Sequence, residues 1–271
     1  MADKNQYILV LGASSGFGKA SALALAKEGY HIIGVHMDRA AGLKQVEELQ
    51  AELTSLGVRQ HFFNVNAVDA DRRAEIIQAI KDEFAQHPGA TIRLMLHSLA
   101  FGTLKPFVSH ESADVINQKS LEMTMNVMAN SLIYYAQDLV TNGLMAAGGR
   151  VVGLTSAGST RVLPMYGAVS AAKAAMESYC RQLALELAPF GITANAIRAG
   201  VTHTPALAKI PGSDIIMANA HMRNPYHRLT TPEDIAKVLT LLVRDEASWI
   251  NGEVLGVDGG EDAIDLTWWK P

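Results

Sequence analysis

One stretch near the start, "YILVLGASSGFGKASALALAKEGYHIIGVHM" (residues 7–37), restricts the possible folds more than any other. It opens with an apolar run too short for a helix. A cluster of glycines follows, then apolar residues at helical spacing, then a second short apolar run. Strand, helix and strand in that order make a βαβ unit, whose strands are parallel and whose helix covers one face of their sheet.

The alternation continues along the chain. "QHFFNVNAV", "IRLMLHSLA", "RVVGLTS", "ITANAIRAG" and "EVLGVDGG" read as strands. "ADRRAEIIQAIKDEFAQ", "LEMTMNVMANSLIYYAQDLVTNGLM", "YGAVSAAKAAMESYCRQLALELAPFG" and "TPEDIAKVLTLLVRD" read as helices. No linker or internal repeat interrupts the pattern. It predicts one α/β domain over residues 1–271, a Rossmann-like, doubly wound, mainly parallel sheet of about seven strands with helices on both faces. The least periodic stretch, about 201–228, combines Pro205, Pro211 and Pro225 with Leu207, Ile210, Ile215, Ile216, Met217 and Met222. It leaves the carboxyl end of a strand, where such sheets bind ligands, and is expected to be an apolar substrate lid.

With 49% apolar and 18% charged residues the chain has ample material for a core. A net charge of −4 provides no basic field for nucleic acid or an anionic membrane, so small molecules or proteins are the expected partners. No apolar run approaches the roughly 18 residues of a membrane span. The start lacks the pattern of a signal peptide, and the expected location is cytoplasmic. Cys180 is the sole cysteine and is expected to be a packing thiol. The nine histidines show no HExxH or similar spacing, so no metal is expected.

Two local patterns point to chemistry. In "GASSGFG", Gly12, Gly16 and Gly18 lie between the first strand and first helix, where backbone and helix N-terminus can approach a pyrophosphate. In "YGAVSAAK", Tyr166 and Lys173 stand seven positions apart, on one face of a helix and roughly 10 Å apart along its axis. Val169 occupies the place one turn before the lysine.

With these positions in place, the chain resembles the short-chain dehydrogenase/reductase family over essentially its whole length. "GASSGFG" is similar to the family's glycine motif, "NVNAVD" to its adenine-contacting segment and "MNVMANS" to its long-helix asparagine, Asn126. "LTSAGS" looks like the strand bearing the active-site hydroxyl, Ser156, "NAIRAGVTHT" like the segment that clasps nicotinamide, and "VDGG" like the last strand. Asn64 stands where aspartate is frequent. The resemblance implies a cofactor held by Gly12, Ser14, Ser15, Gly16, Phe17 and Gly18, by Asn64 and Val65, by Ser98, Leu99 and Ala100, and by Lys173, Gly200, Val201, Thr202 and Thr204. At the end of the second strand, His36 and Arg39 favour NADP(H); Asp38 pulls the other way, and NAD(H) stays open.

The six-residue gap between Tyr166 and Lys173, together with "LHSLAF" and "RVLPMY", resembles the enoyl-acyl carrier protein reductase branch. That branch reduces the double bond of a 2-enoyl thioester, so the expected substrate is an acyl thioester, with acyl carrier protein a candidate carrier. Tyr166 is expected to donate to the thioester oxygen, with its pKa lowered by Lys173, while Ser156 supplies a second hydrogen bond. Asn126 is a further catalytic candidate. Ser156 also suits a carbonyl reductase or alcohol dehydrogenase of the same family, the main alternative. A non-catalytic NADP-sensing protein is a third. The family resemblance implies a homotetramer, and Trp268 and Trp269 remain unassigned.

Overall fold

A computed structural model of the chain describes residues 5–111 and 114–264. Seven strands form one parallel sheet: β1 (Gln6–Leu11), β2 (His31–His36), β3 (Gln60–Asn64), β4 (Thr91–His97), β5 (Arg150–Ser156), β6 (Thr193–Ala199) and β7 (Val254–Val257). Their spatial order is β3-β2-β1-β4-β5-β6-β7. The order reverses between β1 and β4. Connections leave these two strands toward opposite sides, opening a crevice at their carboxyl ends.

Burial on both faces explains why the strands read as continuous apolar runs. In β1, Tyr7, Leu9 and Leu11 enter one core layer, while Ile8 and Val10 enter the other. The first layer meets Leu132, Tyr135, Met176 and Leu183 from the helices on its side. Ala22, Leu25, Leu49, Leu53, Ile235 and Leu239 complete the second.

The helices are α1 (Gly16–Lys27), α2 (Ala40–Ser55), α3 (Ala70–Gln86), α4 (Gln118–Met125), α5 (Ser131–Thr141), α6 (Gly167–Glu186), α7 (Ser213–Arg223) and α8 (Pro232–Leu242). Three features differ from the sequence-based expectation. Helix α2 occupies a stretch to which no element was assigned; only Val46, Leu49 and Leu53 on it are buried, so its apolar stripe is thin. The long helix predicted across Asn126 is divided into α4 and α5 by a π turn, Asn126–Asn130. The stretch expected to form a lid contains α7, whose only buried residue is Ala220. A helix that covers a cavity rather than a core carries little amphipathic signal. Cys180 is buried and its thiol donates to the Asn195 carbonyl, as a packing residue would. Trp268 and Trp269 lie outside the described residues.

Candidate active site

The glycine turn is shaped by close backbone approach. A Cβ on Gly18 would lie 2.0 Å from the Gly12 carbonyl oxygen, and one on Gly12 would lie 2.7 Å from that of Ser98. Gly12 and Gly16 also have φ of 90° and 51°, the left-handed region that glycine tolerates. Ser15 caps α1 without a side-chain hydrogen bond, so its side chain does not occupy the donors of the first turn. Helix α1 begins just past the carboxyl end of β1, beside the crevice between β1 and β4, a position that fits a pyrophosphate.

At the end of β2, His36 is buried and its Nδ1 lies 2.9 Å from Asp38 Oδ2. Asn64 fixes the backbone of Asp38 twice: Asp38 N–H donates to Asn64 Oδ1 at 2.9 Å, and Asn64 Nδ2 donates to the Asp38 carbonyl at 3.0 Å. Arg39 caps α2 and is exposed. The Val65 N–H donates to the His36 carbonyl and joins the same edge.

A cavity of about 680 Å³ extends from the glycine turn toward α7. Among the candidate cofactor residues, Phe17, Ser98, Leu99, Ala100, Gly200, Val201, Thr202 and Thr204 line it; so do Ser156, Tyr166 and Lys173. Val169 is buried and forms part of the same wall, filling the place a helical turn before Lys173.

Tyr166 precedes the first turn of α6, with φ −93° and ψ 1°, and so stands at the cap rather than on the helical face drawn from the sequence. Met165 before it has φ 60°, a left-handed conformation rare for a side chain of this size. Burial raises the Tyr166 pKa, and the nearby Ser156 hydroxyl pulls it partly back. Ser156 Oγ itself is buried without a completed hydrogen bond, so a substrate oxygen between the two hydroxyls would satisfy it. The expected lowering by Lys173 is not what sets this phenol. Lys173 is 7% exposed and its Nζ donates to the Leu154 carbonyl at 2.5 Å. Burial brings its pKa down to about 8, opposed by Glu177 one turn further along α6. Glu177 is in turn held by the Thr155 hydroxyl at 2.7 Å.

Asn126 is not brought to the cavity. Its side-chain oxygen accepts from the Tyr134 hydroxyl at 2.9 Å, at the start of the π turn. Beneath the cavity, His97 is fully buried, with Nε2 2.7 Å from Ser131 Oγ. Burial and then the charge of Lys173 hold its pKa down to about 3, so this imidazole is neutral.

Sequence reasoning missed several residues. Gly158 leaves space for the Tyr166 ring, since a Cβ there would lie 2.5 Å from Cε1. Arg161, Arg223, Glu261 and Asp262 also line the cavity. The acidic pair directly after "VDGG" was the available signal, but its partners are distant in sequence.

The model of a family described as enoyl-(acyl carrier protein) reductase matches residues 12–261. The chain is 33% identical over 268 residues to 1-cyclohexenylcarbonyl-CoA reductase of Streptomyces collinus, covering 96% of this chain and 88% of that one. It is 25% identical to a 3-oxoacyl-[acyl-carrier-protein] reductase of Thermotoga maritima, covering 93% of this chain and 96% of the relative. Enoyl-[acyl-carrier-protein] reductase (NADH) from Aquifex aeolicus superposes with a TM-score of 0.79 at 25% identity, over 97% of this chain and 99% of that one.

Proposed function

We propose that this chain, which belongs to the short-chain dehydrogenase/reductase family of NAD(P)H-dependent oxidoreductases, reduces the conjugated double bond of a 2-enoyl thioester. The observation that carries the proposal is the convergence of Tyr166, Ser156 and Lys173 on one cavity, with Val169 occupying the place a turn before the lysine. The match to the enoyl-(acyl carrier protein) reductase family supports the same reaction.

The glycine turn and α1 would hold the pyrophosphate, Ser98 to Ala100 and Gly200 to Thr204 the nicotinamide half, and Lys173 the ribose hydroxyls with the donors that Leu154 leaves free. Bound NAD(P)H supplies a hydride from nicotinamide C4 to the β-carbon. Negative charge then develops on the thioester oxygen, and the residues facing that oxygen decide the rate. Burial keeps Tyr166 protonated at neutral pH, so its hydroxyl is a donor when that charge appears. Ser156 donates the second hydrogen bond, and one proton from solvent, added at the α-carbon, completes the saturated product. Apolar Leu104, Met128, Leu207, Ile210 and Ile216 keep water from the acyl group. His36 and Arg39 favour the 2′-phosphate of NADPH. The acyl group arrives as a thioester, with acyl carrier protein the candidate carrier.

Carbonyl reduction is the second reading, favoured by Ser156 beside Tyr166 and by the similarity to a 3-oxoacyl reductase. A β-carbon and a carbonyl carbon need different placement over the same nicotinamide, and a displacement of about 1 Å can cost a hundredfold in rate. With purified protein and NADPH, crotonyl and longer 2-enoyl thioesters should exceed the matching 3-oxoacyl thioesters in kcat/KM, with a saturated product confirmed by mass. Faster turnover of the 3-oxo series, with 3-hydroxyacyl product, would establish the second reading instead.

A further inference from the structure

The turn after β7 carries three carboxylates, two of which engage other segments around the cavity. Glu261 is only 4% exposed. Its Oε2 accepts the Val201 N–H at 3.0 Å, and its Oε1 faces Arg223 Nη2 of α7 at 3.4 Å. Asp262 pairs with Arg161 at 2.6 Å and lies 3.4 Å from Arg198 Nε on β6. Asp258 accepts the N–H groups of Gly260 and Asp262, while its own carbonyl accepts from buried Asn224, just past α7, at 2.8 Å.

Burying a carboxylate is unfavourable unless its oxygens are matched by donors. Burial accordingly raises the Glu261 pKa, the Val201 N–H and Arg223 lower it, and neighbouring Asp258 raises it again. The two oxygens serve two segments at once. One holds the turn from Gly200 to Thr204; the other holds the helix over the cavity. Gly200 packs against the same region, since a Cβ there would lie 2.9 Å from that of Asp258.

We propose that Glu261 is a positioning residue: its buried carboxylate fixes the Val201 amide, and with it the turn that receives nicotinamide, and through Arg223 ties that turn to α7. The inference rests on the cofactor assignment of residues 200–204. The effect of Glu261 and Arg223 is to make the cofactor turn and the helix above it order together.

Amide hydrogen exchange on the full chain without cofactor tests the contact directly, alongside NAD(P)H affinity by fluorescence titration. In Glu261→Ala the Val201 amide should exchange at least about tenfold faster and the Kd for NAD(P)H rise about tenfold, the scale of one lost buried hydrogen bond. Glu261→Gln keeps an acceptor for Val201, so protection there should survive while residues 213–223 exchange faster. Arg223→Gln should loosen the same helix, and the double variant should be no worse than either single. Unchanged Val201 exchange in Glu261→Ala would overturn the proposal, as would additive effects of Glu261→Gln and Arg223→Gln. Those two variants decide the matter if Glu261→Ala does not fold. If the unaltered protein binds no NAD(P)H, the proposed function fails, yet Val201 exchange still decides whether Glu261 positions the turn.

Discussion

Gly158 and Tyr166 share one volume: a Cβ on Gly158 would stand 2.5 Å from Tyr166 Cε1 and 3.3 Å from Ser156 Oγ. The phenol therefore takes its place because the 3-10 turn after β5 has no side chain at that point. Gly158→Ala should push the ring off its position and lower kcat about a hundredfold, the cost of a displacement of about 1 Å, with cofactor affinity unchanged. Steady-state kinetics beside a fluorescence titration of NAD(P)H separates the two quantities. An equal loss in both would place the damage in the fold instead.

Tyr166→Phe should preserve cofactor binding and remove one donor to the developing charge, raising the activation free energy by about 3 kcal/mol. Moving tyrosine to position 169 should not restore turnover, because Val169 lies at a buried point of the wall and the proposed donor to the substrate oxygen stands at the cap of α6. Single-turnover rates of Tyr166→Phe and Tyr166→Phe/Val169→Tyr check both statements.

The lowered pKa of Lys173, about 8 against an ordinary 10.5, has opposite consequences for stability and activity. Below pH about 8 the folded protein bears the burial of a charge, and this penalty fades as pH rises from about 8 to 10.5. The lysine's contribution to stability therefore increases over that window. Activity should fall over the same rise, because the ammonium proposed to hold the ribose loses its proton. Melting temperature and kcat/KM from pH 6 to 10, each compared with Lys173→Met, should show the two trends diverging only in the protein that retains the lysine.

Cofactor choice should turn on residues 36–39. Arg39→Ala should weaken NADPH and spare NADH, since an exposed guanidinium at the start of α2 would meet only the 2′-phosphate. Asp38→Asn, which removes a negative charge beside His36, should raise the preference for NADPH about tenfold. Dissociation constants for both nucleotides measured by titration check these expectations; an unaltered protein that prefers NADH would show that Asp38 dominates.

Periodicity was enough for most of the scaffold. Doubly buried strands such as β1 and β4 must be apolar throughout, and α3 and α8 must face a core with one stripe, so each leaves a local imprint on composition. The glycine turn is local in part: Gly18 answers to the Gly12 carbonyl six residues before it, and Gly12 and Gly16 answer to their own positive φ, whereas the approach of Gly12 to Ser98 arises only from the sheet. Helix α7 left almost no imprint, since its side chains face a cavity and solvent.

The candidate site divides along the same physical line. Sequence alone determined which residue types stand at the ends of β1, β5 and β6, because strand and motif order place them at one edge of a parallel sheet. Tertiary structure alone decided where their side chains went. It turned Asn126 toward Tyr134, engaged Lys173 with Leu154 and buried Glu261 between Val201 and Arg223. Such contacts join residues between eight and sixty positions apart, and burial shifts a pKa through all the surrounding atoms. Neither a separation of that length nor a local dielectric is written into any short run of residues; both exist only once the sheet and its helices have packed.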